Sequence, residues 1–396
     1  MVLGNYYKFS YFCTLQNKPM LKLFIFLQII FWGTYIPAEK PDQPLAQLTA
    51  TEINKLFEEA NKTFKLRALE VELDTLCEKL NGSVLLAFGD QIFYKKEVGY
   101  KRLAKKTPEN AIDSETIFEL ASISKQFTAA AILKLNEEKK LSLNDDVTTF
   151  LPRFPYKNIT IRHLLTHTSG LPEYMDFPEK DFNNSVPLSN AQLASYLERI
   201  KPKVLFQPGA RFKYINTNYA LLALIVEKVA QIPFEQYVRK ELFLPAGLYA
   251  TFFATELHNK TNYAKGHLAN MSERPFHFQN GVIGDKGIYA NVEEMYRWAK
   301  AYLIDYKILP HSVVEQATQP QNKSLNLKPT EYYGYGLRIE EGNNGYLVYH
   351  GGLWRGFQNN FVFRPADQYI FIVLSNFRNQ APIGVNTRLL NIIDGA

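Results

Sequence analysis

Ser122-Ile-Ser-Lys-Gln-Phe-Thr-Ala-Ala-Ala-Ile-Leu-Lys-Leu135 is rich in helix formers and apolar along one side, and so reads as a buried helix. It opens a stretch from about residue 121 to 300 in which helical patterns dominate, at 122–138, 161–166, 190–199, 218–230, 233–241 and 292–301. Ahead of it, apolar residues at Ile53, Leu56, Phe57, Ala60, Leu69, Val71, Leu73 and Leu76 predict a helix over 51–80, ended by Asn81-Gly82. Two apolar runs, 83–88 and 91–94, then flank Gly89-Asp90 and predict a hairpin. Strand signals return only near the end, at 334–339, 346–349, 360–363 and 369–374, with turns at Asn343-Asn-Gly345 and Pro365-Ala-Asp-Gln368. A closing helix is expected over 387–393. Neither group of strands has enough partners unless the two chain ends share one sheet. The predicted fold is α/β: an antiparallel sheet flanked by helices and built from residues 51–120 and 301–396, with an inserted all-α domain at 121–300.

The 396 residues are 46% apolar and 21% charged, the balance of a globular protein rather than a disordered one or a coiled coil. The net charge of +6 includes no long Lys/Arg run and no basic stripe between aromatics, so no nucleic-acid partner is expected. Residues 20–33 have a basic start and an apolar core too short to span a membrane comfortably, followed by small and turn-prone residues as far as Ala38. Residues 1–38 therefore read as a leader of signal-peptide type, with Met20 an alternative start, and 39–50 as a Pro-rich linker. The expectation is export, to the periplasm or outside the cell, with membrane attachment only if the leader is retained. Cys13 and Cys77 are the two cysteines, and Cys13 lies in the leader, so neither a disulfide framework nor a Cys-based metal site is available.

Three short words carry chemistry. On a helix, Lys125 lies one turn from Ser122, on the same face. A serine hydroxyl needs a nearby base to become a nucleophile, and a lysine amine serves if burial lowers its pKa. The helix N-terminus adds N–H groups for a developing negative charge. Tyr214-Ile-Asn216 precedes the apolar helix pattern at 218–230; Tyr214 can shuttle a proton and Asn216 can offer an amide to a substrate carbonyl. His350-Gly-Gly352 follows an apolar strand, where a glycine pair permits close backbone approach, and the N–H of Leu353 with that of Ser122 can form a two-donor oxyanion hole. Taken singly, each has an ordinary structural explanation: a capping serine, a half-buried tyrosine beside a turn asparagine, a hairpin glycine pair.

Their order and surroundings change that balance. With Phe118-Glu-Leu-Ala-Ser-Ile-Ser-Lys125, His163-Leu-Leu-Thr-His-Thr-Ser-Gly-Leu-Pro172, Phe212-Lys-Tyr-Ile-Asn-Thr-Asn-Tyr219 and Tyr349-His-Gly-Gly352, the chain resembles the penicillin-recognising serine hydrolase superfamily over roughly residues 70–396. The branch is that of class C β-lactamases, D-Ala-D-Ala carboxypeptidases, D-aminopeptidases and related esterases. The resemblance implies a Ser122 nucleophile, Lys125 and Tyr214 as the proton-handling pair, Asn216 as substrate binder, His350 at the third-motif position and a site in a groove between domains. Many β-lactamases have Lys-Thr-Gly where this chain has His-Gly-Gly, which weakens the case for tight binding of a β-lactam carboxylate.

The reading is thus an exported serine hydrolase acting through an acyl-enzyme on a small-molecule or peptide substrate, with a D-amino-acid or peptidoglycan-type peptide ranked first. A small-ester esterase, a weak β-lactamase, a non-hydrolytic peptidoglycan- or penicillin-binding protein and a membrane-anchored structural protein are the alternatives. No metal and no cofactor are expected: His163 and His167 have the spacing of a zinc pair but lack the catalytic glutamate and a third ligand. Gly284-Asp-Lys-Gly287 reads as a turn bordering the groove, and Arg355 as a surface arginine within reach of a substrate carboxylate.

Overall fold

In the computed structural model, residues 50–395 are described except 276, 326–329, 343, 380, 381 and 383; the leader and nearly all of the linker lie outside them. The described residues fall into two units, 50–71 with 392–395 and Glu72–Asn391. In the first, Lys65 Nζ donates to the Ile393 carbonyl at 2.9 Å and Arg67 pairs with Glu70 at 2.9 Å. All strands and all candidate site residues lie in the second.

The first helix, α1 (Ala50–Lys79), ends where Asn81-Gly82 was expected to stop it. The hairpin follows as β1 (Gly82–Phe88) and β2 (Gln91–Val98). At the other end of the chain, β6 (Glu331–Tyr333), β7 (Arg338–Gly342), β8 (Gly345–Trp354), β9 (Phe357–Arg364) and β10 (Tyr369–Ser375) complete an antiparallel sheet in the order β2-β1-β10-β9-β8-β7-β6. The two chain ends meet at the β1–β10 ladder, from Gly82↔Ser375 to Phe88↔Tyr369. Both strands are apolar and buried almost throughout, as central strands covered on both faces must be. The edge strand β2 instead carries Lys95, Lys96 and Glu97, charges that discourage further pairing.

Three local differences from the sequence reading matter. Only Arg338 and Ile339 of the expected strand at 334–339 are strand, in β7; residues 334–337 are the turn between β6 and β7, where Gly336 has a φ of +76° and a Cβ would come 2.7 Å from the Lys125 carbonyl. The expected helix at 122–138 begins as a 3-10 turn, Ala121–Ser124, before the α-helix α2 (Lys125–Glu137). A small antiparallel sheet, ordered β3 (Phe118–Glu119), β5 (Ile288–Ala290), β4 (Phe252–Phe253), also pairs a strand just ahead of the expected insert with two inside it, and runs of two or three residues do not announce it.

Within the insert, α2 is buried on nearly every face and packs on α3 (Asn216–Ala230), equally apolar from Leu221 to Val226. Helix α4 (Val292–Ala299) connects this core to β1 and β10. Its Trp298 stacks on Phe127 of α2 with centroids 4.1 Å apart, stacks on Tyr302 at 4.9 Å, and donates from Nε1 to Gln126 Oε1 at 2.7 Å. The last helix, α5 (Val385–Asp394), buries Val385 and Leu389, and its Asn386 Oδ1 accepts from Tyr369 OH at 3.0 Å. Among the described residues no helix is long and apolar enough to cross a membrane.

Because Trp298 joins two ring stacks and a buried hydrogen bond, Trp298→Ala should destabilise the protein by about 3–5 kcal/mol. Leu244→Ala, at a half-exposed position, should change it by no more than about 0.5 kcal/mol. Denaturant midpoints of the two variants check this.

Candidate active site

Ser122 lies one residue past a strained position. Ala121 is fully buried and adopts φ +51°, a left-handed conformation that a residue with a Cβ takes at a cost. That kink turns the chain from β3 into the 3-10 turn that carries Ser122. The segment ahead of it is pinned on two sides: Leu120 N donates to the Ile288 carbonyl at 2.8 Å, and Asn359 Nδ2 donates to the Glu119 carbonyl at 2.7 Å. On the third side passes β8, where a Cβ on Gly352 would sit 2.2 Å from the Leu120 carbonyl oxygen. Glycine at 352 therefore answers to a packing demand that only the fold reveals.

One turn along, Lys125 is fully buried and its Nζ meets three oxygens: Ser122 Oγ at 3.2 Å, Asn216 Oδ1 at 2.7 Å and the Asp285 carbonyl at 2.7 Å. Burial pulls the amine down to about 8; Asp285 and Glu173 oppose the fall and Arg338 adds to it. The amine also lies 4.9 Å from the Tyr214 ring centroid and 5.6 Å from that of Tyr219. Asp285 reaches Lys125 because Gly284, at φ +98°, lets its loop press against α3; a Cβ there would lie 2.6 Å from Ala223 Cβ. The turn expected to border the groove thus supplies an acceptor to the buried lysine.

The Tyr214 hydroxyl is buried and makes no hydrogen bond among the described residues. Burial raises its pKa, with the Ser122 hydroxyl and Arg338 pulling the other way, so it remains a phenol at neutral pH. Asn216 is the first residue of α3, and its amide is fully engaged: Oδ1 accepts from Lys125, while Nδ2 donates to Glu173 Oε2 at 3.1 Å and contacts Met175 Sδ at 3.6 Å. The donor expected to meet a substrate carbonyl points at Glu173 instead.

His350 is buried on β8. Its Nδ1 is 2.7 Å from the Gly351 carbonyl, which can only accept, so Nδ1 carries the proton and Nε2, 3.2 Å away, accepts from Tyr333 OH. Burial, with Lys125 and Arg338 as second and third causes, holds its pKa well below the ordinary value. The third word therefore brings no positive charge. Gly352 and Leu353 lie on the part of β8 beyond the end of β7, which pairs only with Gly345 to Tyr349, and Leu353 is half-exposed there. Ser122, Lys125, Tyr214, Asn216 and His350 are thus brought together, with Gly352 directly behind the serine turn.

Four further groups were not singled out in the sequence. Arg338, at the start of β7, places its guanidinium carbon 5.3 Å from the Tyr214 ring centroid, and among the described residues it has no ion-pair or hydrogen-bond partner for its side chain. Tyr333 ties the β6 edge to His350. Asp285 and Glu173 face Lys125 from two loops. A pair of charges between two glycines, Asp285 and Lys286, was the available sign of Asp285; Glu173 stands one residue beyond the quoted His163–Pro172 word, and Arg338 sat inside a stretch read as strand. Arg355 faces elsewhere, donating from Nη2 to the Pro275 carbonyl at 2.8 Å. His163 receives the Thr160 N–H on Nδ1, capping its own helix, and His167 stacks on Tyr214 at 4.4 Å; no group of three metal-ligating side chains occurs among the described residues.

A serine hydroxyl against a buried amine, with a neutral phenol beside both, is an arrangement suited to acyl transfer. Comparisons with known proteins give the family. The chain is 31% identical over 335 residues to a penicillin-binding protein of Bacillus subtilis (strain 168), spanning 80% of this chain and 72% of that protein. The crystal structure of a penicillin binding protein from Bacillus halodurans superposes with a TM-score of 0.68 at 28% identity, covering 83% of this chain and 98% of that one. A D-amino acid amidase from Ochrobactrum anthropi SV3 gives a TM-score of 0.68 over 83% and 98% of the two chains, at 20% identity a likeness of fold alone. The family model described as Beta-lactamase matches residues 67–392, and with so much of the chain matched this protein belongs to the Beta-lactamase family of serine hydrolases.

Proposed function

We propose that the protein is an exported hydrolase that forms an acyl-enzyme on Ser122 and cleaves an amide or ester, with a D-amino-acid or peptidoglycan-type peptide as substrate. The observation that carries this reading is the buried Lys125 Nζ 3.2 Å from Ser122 Oγ. Neutral Lys125 takes the proton as Oγ attacks the acyl carbon. The carbonyl oxygen becomes an oxyanion facing the N–H groups of Ser122 and Leu353. Tyr214, kept a phenol by burial, passes its proton to the departing amine or alcohol and regains one from the Lys125 ammonium, which leaves the amine neutral again for deacylation. Water then attacks the ester, returning Ser122 and releasing the acid.

Arg338 favours a substrate with a free carboxylate. With His350 neutral, it is the cation beside Tyr214 whose side chain has no partner among the described residues. A peptide ending in a carboxylate would meet it from the cleft, and guanidinium–carboxylate pairs are among the stronger polar contacts. A penicillin also carries a carboxylate, so weak β-lactamase activity is the second reading. Export rests on residues 20–33 alone.

Exposure to an activated acyl ester, and separately to a penicillin, should add the acyl mass to Ser122, located by peptide mapping and lost in Ser122→Ala. Turnover that survives Ser122→Ala would overturn the mechanism, and an adduct that never decays would mark a binding protein instead. Because the amine must be neutral to accept a proton and burial sets it at about 8, kcat/KM for the ester should climb with rising pH through that value and fall below it. For Arg338→Ala, KM should rise about tenfold or more for a carboxylate-bearing peptide and much less for a neutral ester; equal changes for both would remove the carboxylate assignment.

A further inference from the structure

The Asn216 amide can be oriented in only one way. A carboxylate accepts and never donates, so the amide nitrogen must face Glu173, and the amide oxygen is left to Lys125, which donates to it as an ammonium or as a neutral amine. The same Glu173 Oε2 accepts from the backbone N–H of Asn216 at 2.7 Å. That N–H opens α3, and the residue before it, Ile215, has no side chain able to cap. Glu173 is therefore a cap delivered from a separate segment, a carboxylate at the positive end of a 15-residue helix.

The segment is held in place for that task. Thr217 Oγ1 accepts from Tyr174 N at 2.8 Å and donates to the Pro172 carbonyl at 2.7 Å, on either side of Glu173. Glu173 Oε1 receives its own loop's Met175 N at 3.3 Å. Tyr174 OH donates to Asp285 Oδ2 at 3.0 Å, and the Asp285 carbonyl is the third acceptor of Lys125. Two of the three oxygens around the amine are thus fixed through residues 173 and 174.

We propose that Glu173 is a positioning residue for acyl transfer, which holds the Asn216 amide with its oxygen toward Lys125 and places a negative charge beside that amine. The inference rests on the reading of Ser122 and Lys125 given above. The charged groups that move Lys125 are Asp285, Glu173 and Arg338; His167, His350 and Lys286 also feel its charge, and it touches the Ser122 hydroxyl, the Asn216 amide and the rings of Tyr214 and Tyr219. Glu173 itself faces Asp285 and Lys125, besides the N–H groups of Asn216 and Met175. Burial and Asp285 raise its pKa, while those N–H groups and Lys125 lower it.

Two substitutions separate the clamp from the charge. Glu173→Gln keeps an oxygen for both Asn216 donors and removes the charge that raises Lys125. The neutral amine then persists to lower pH, and the acid limb of the acylation profile moves down. Glu173→Ala removes the clamp as well, and the plateau rate should fall about tenfold or more, with much of it restored in the Gln variant.

The experiment is the pre-steady-state burst with an activated acyl ester, across about pH 5 to 9. Rates are expressed per site titrated by the burst, so misfolded protein drops out. A lower acid limb in Glu173→Gln and a lower plateau in Glu173→Ala are expected. Losses confined to the number of titratable sites or to thermal stability, with profile and plateau unmoved, would make Glu173 a structural cap and overturn the proposal. A burst on Ser122 in the unaltered protein with an unmoved Glu173→Gln profile refutes this inference alone; the absence of both an acyl adduct on Ser122 and ester turnover in the unaltered protein refutes the acyl-transfer reading and the inference with it.

Discussion

The buried Lys125 amine is the constraint around which this protein is arranged. An ammonium taken from water loses several kcal/mol of hydration, which only nearby oxygens replace. Three oxygens do so here, from the serine turn, the start of α3 and the loop before β5. Those three elements are far apart in sequence, and each is held by a device of its own: the left-handed Ala121, the Glu173 cap and the Gly284 turn. Loosening any one would leave the amine short of an acceptor.

The charges nearby form a second layer with the same logic. Glu119, Asp285 and Lys286 are all buried. Glu119 accepts from Tyr289 OH at 2.5 Å, and Lys286 donates to Tyr174 OH at 2.6 Å and to the Val282 carbonyl at 2.9 Å, lying 3.6 Å from Asp285. Burial raises Glu119 to about 7 despite its hydrogen bond and the Lys286 charge. Such groups are poor contributors to stability compared with apolar packing. Tyr174 nevertheless links two of them to the loop that carries Glu173, so the layer sets the distance between that loop and the loop before β5.

Electrostatically the site is asymmetric. The third word holds a neutral histidine, locked between the Gly351 carbonyl and Tyr333, and the positive charge has moved to Arg338 one strand away. A cation on β7 lies at the corner where β8 loses β7 as a neighbour and Gly352 packs against the serine turn instead. The third word shapes the backbone while the neighbouring strand provides the charge.

Much of this was legible in the chain itself. The apolar runs at 83–88 and 369–374 demanded partners, and pairing the two ends into one sheet was the way to supply them, because an unpaired central strand leaves its backbone groups unsatisfied. Ser122 and Lys125 share a face by helical geometry, which needs no knowledge of the rest of the fold. The order of the three words carried the family. What sequence spacing does not hold is which distant side chains meet. The direction of the Asn216 amide, the neutrality of His350, the Asp285 carbonyl on Lys125 and the free charge of Arg338 all depend on residues tens to hundreds of positions apart, brought within 3 to 6 Å by packing. Local pattern determined the elements and the reactive pair; burial and partner choice, properties of the folded core, decided the protonation and orientation of every group around it.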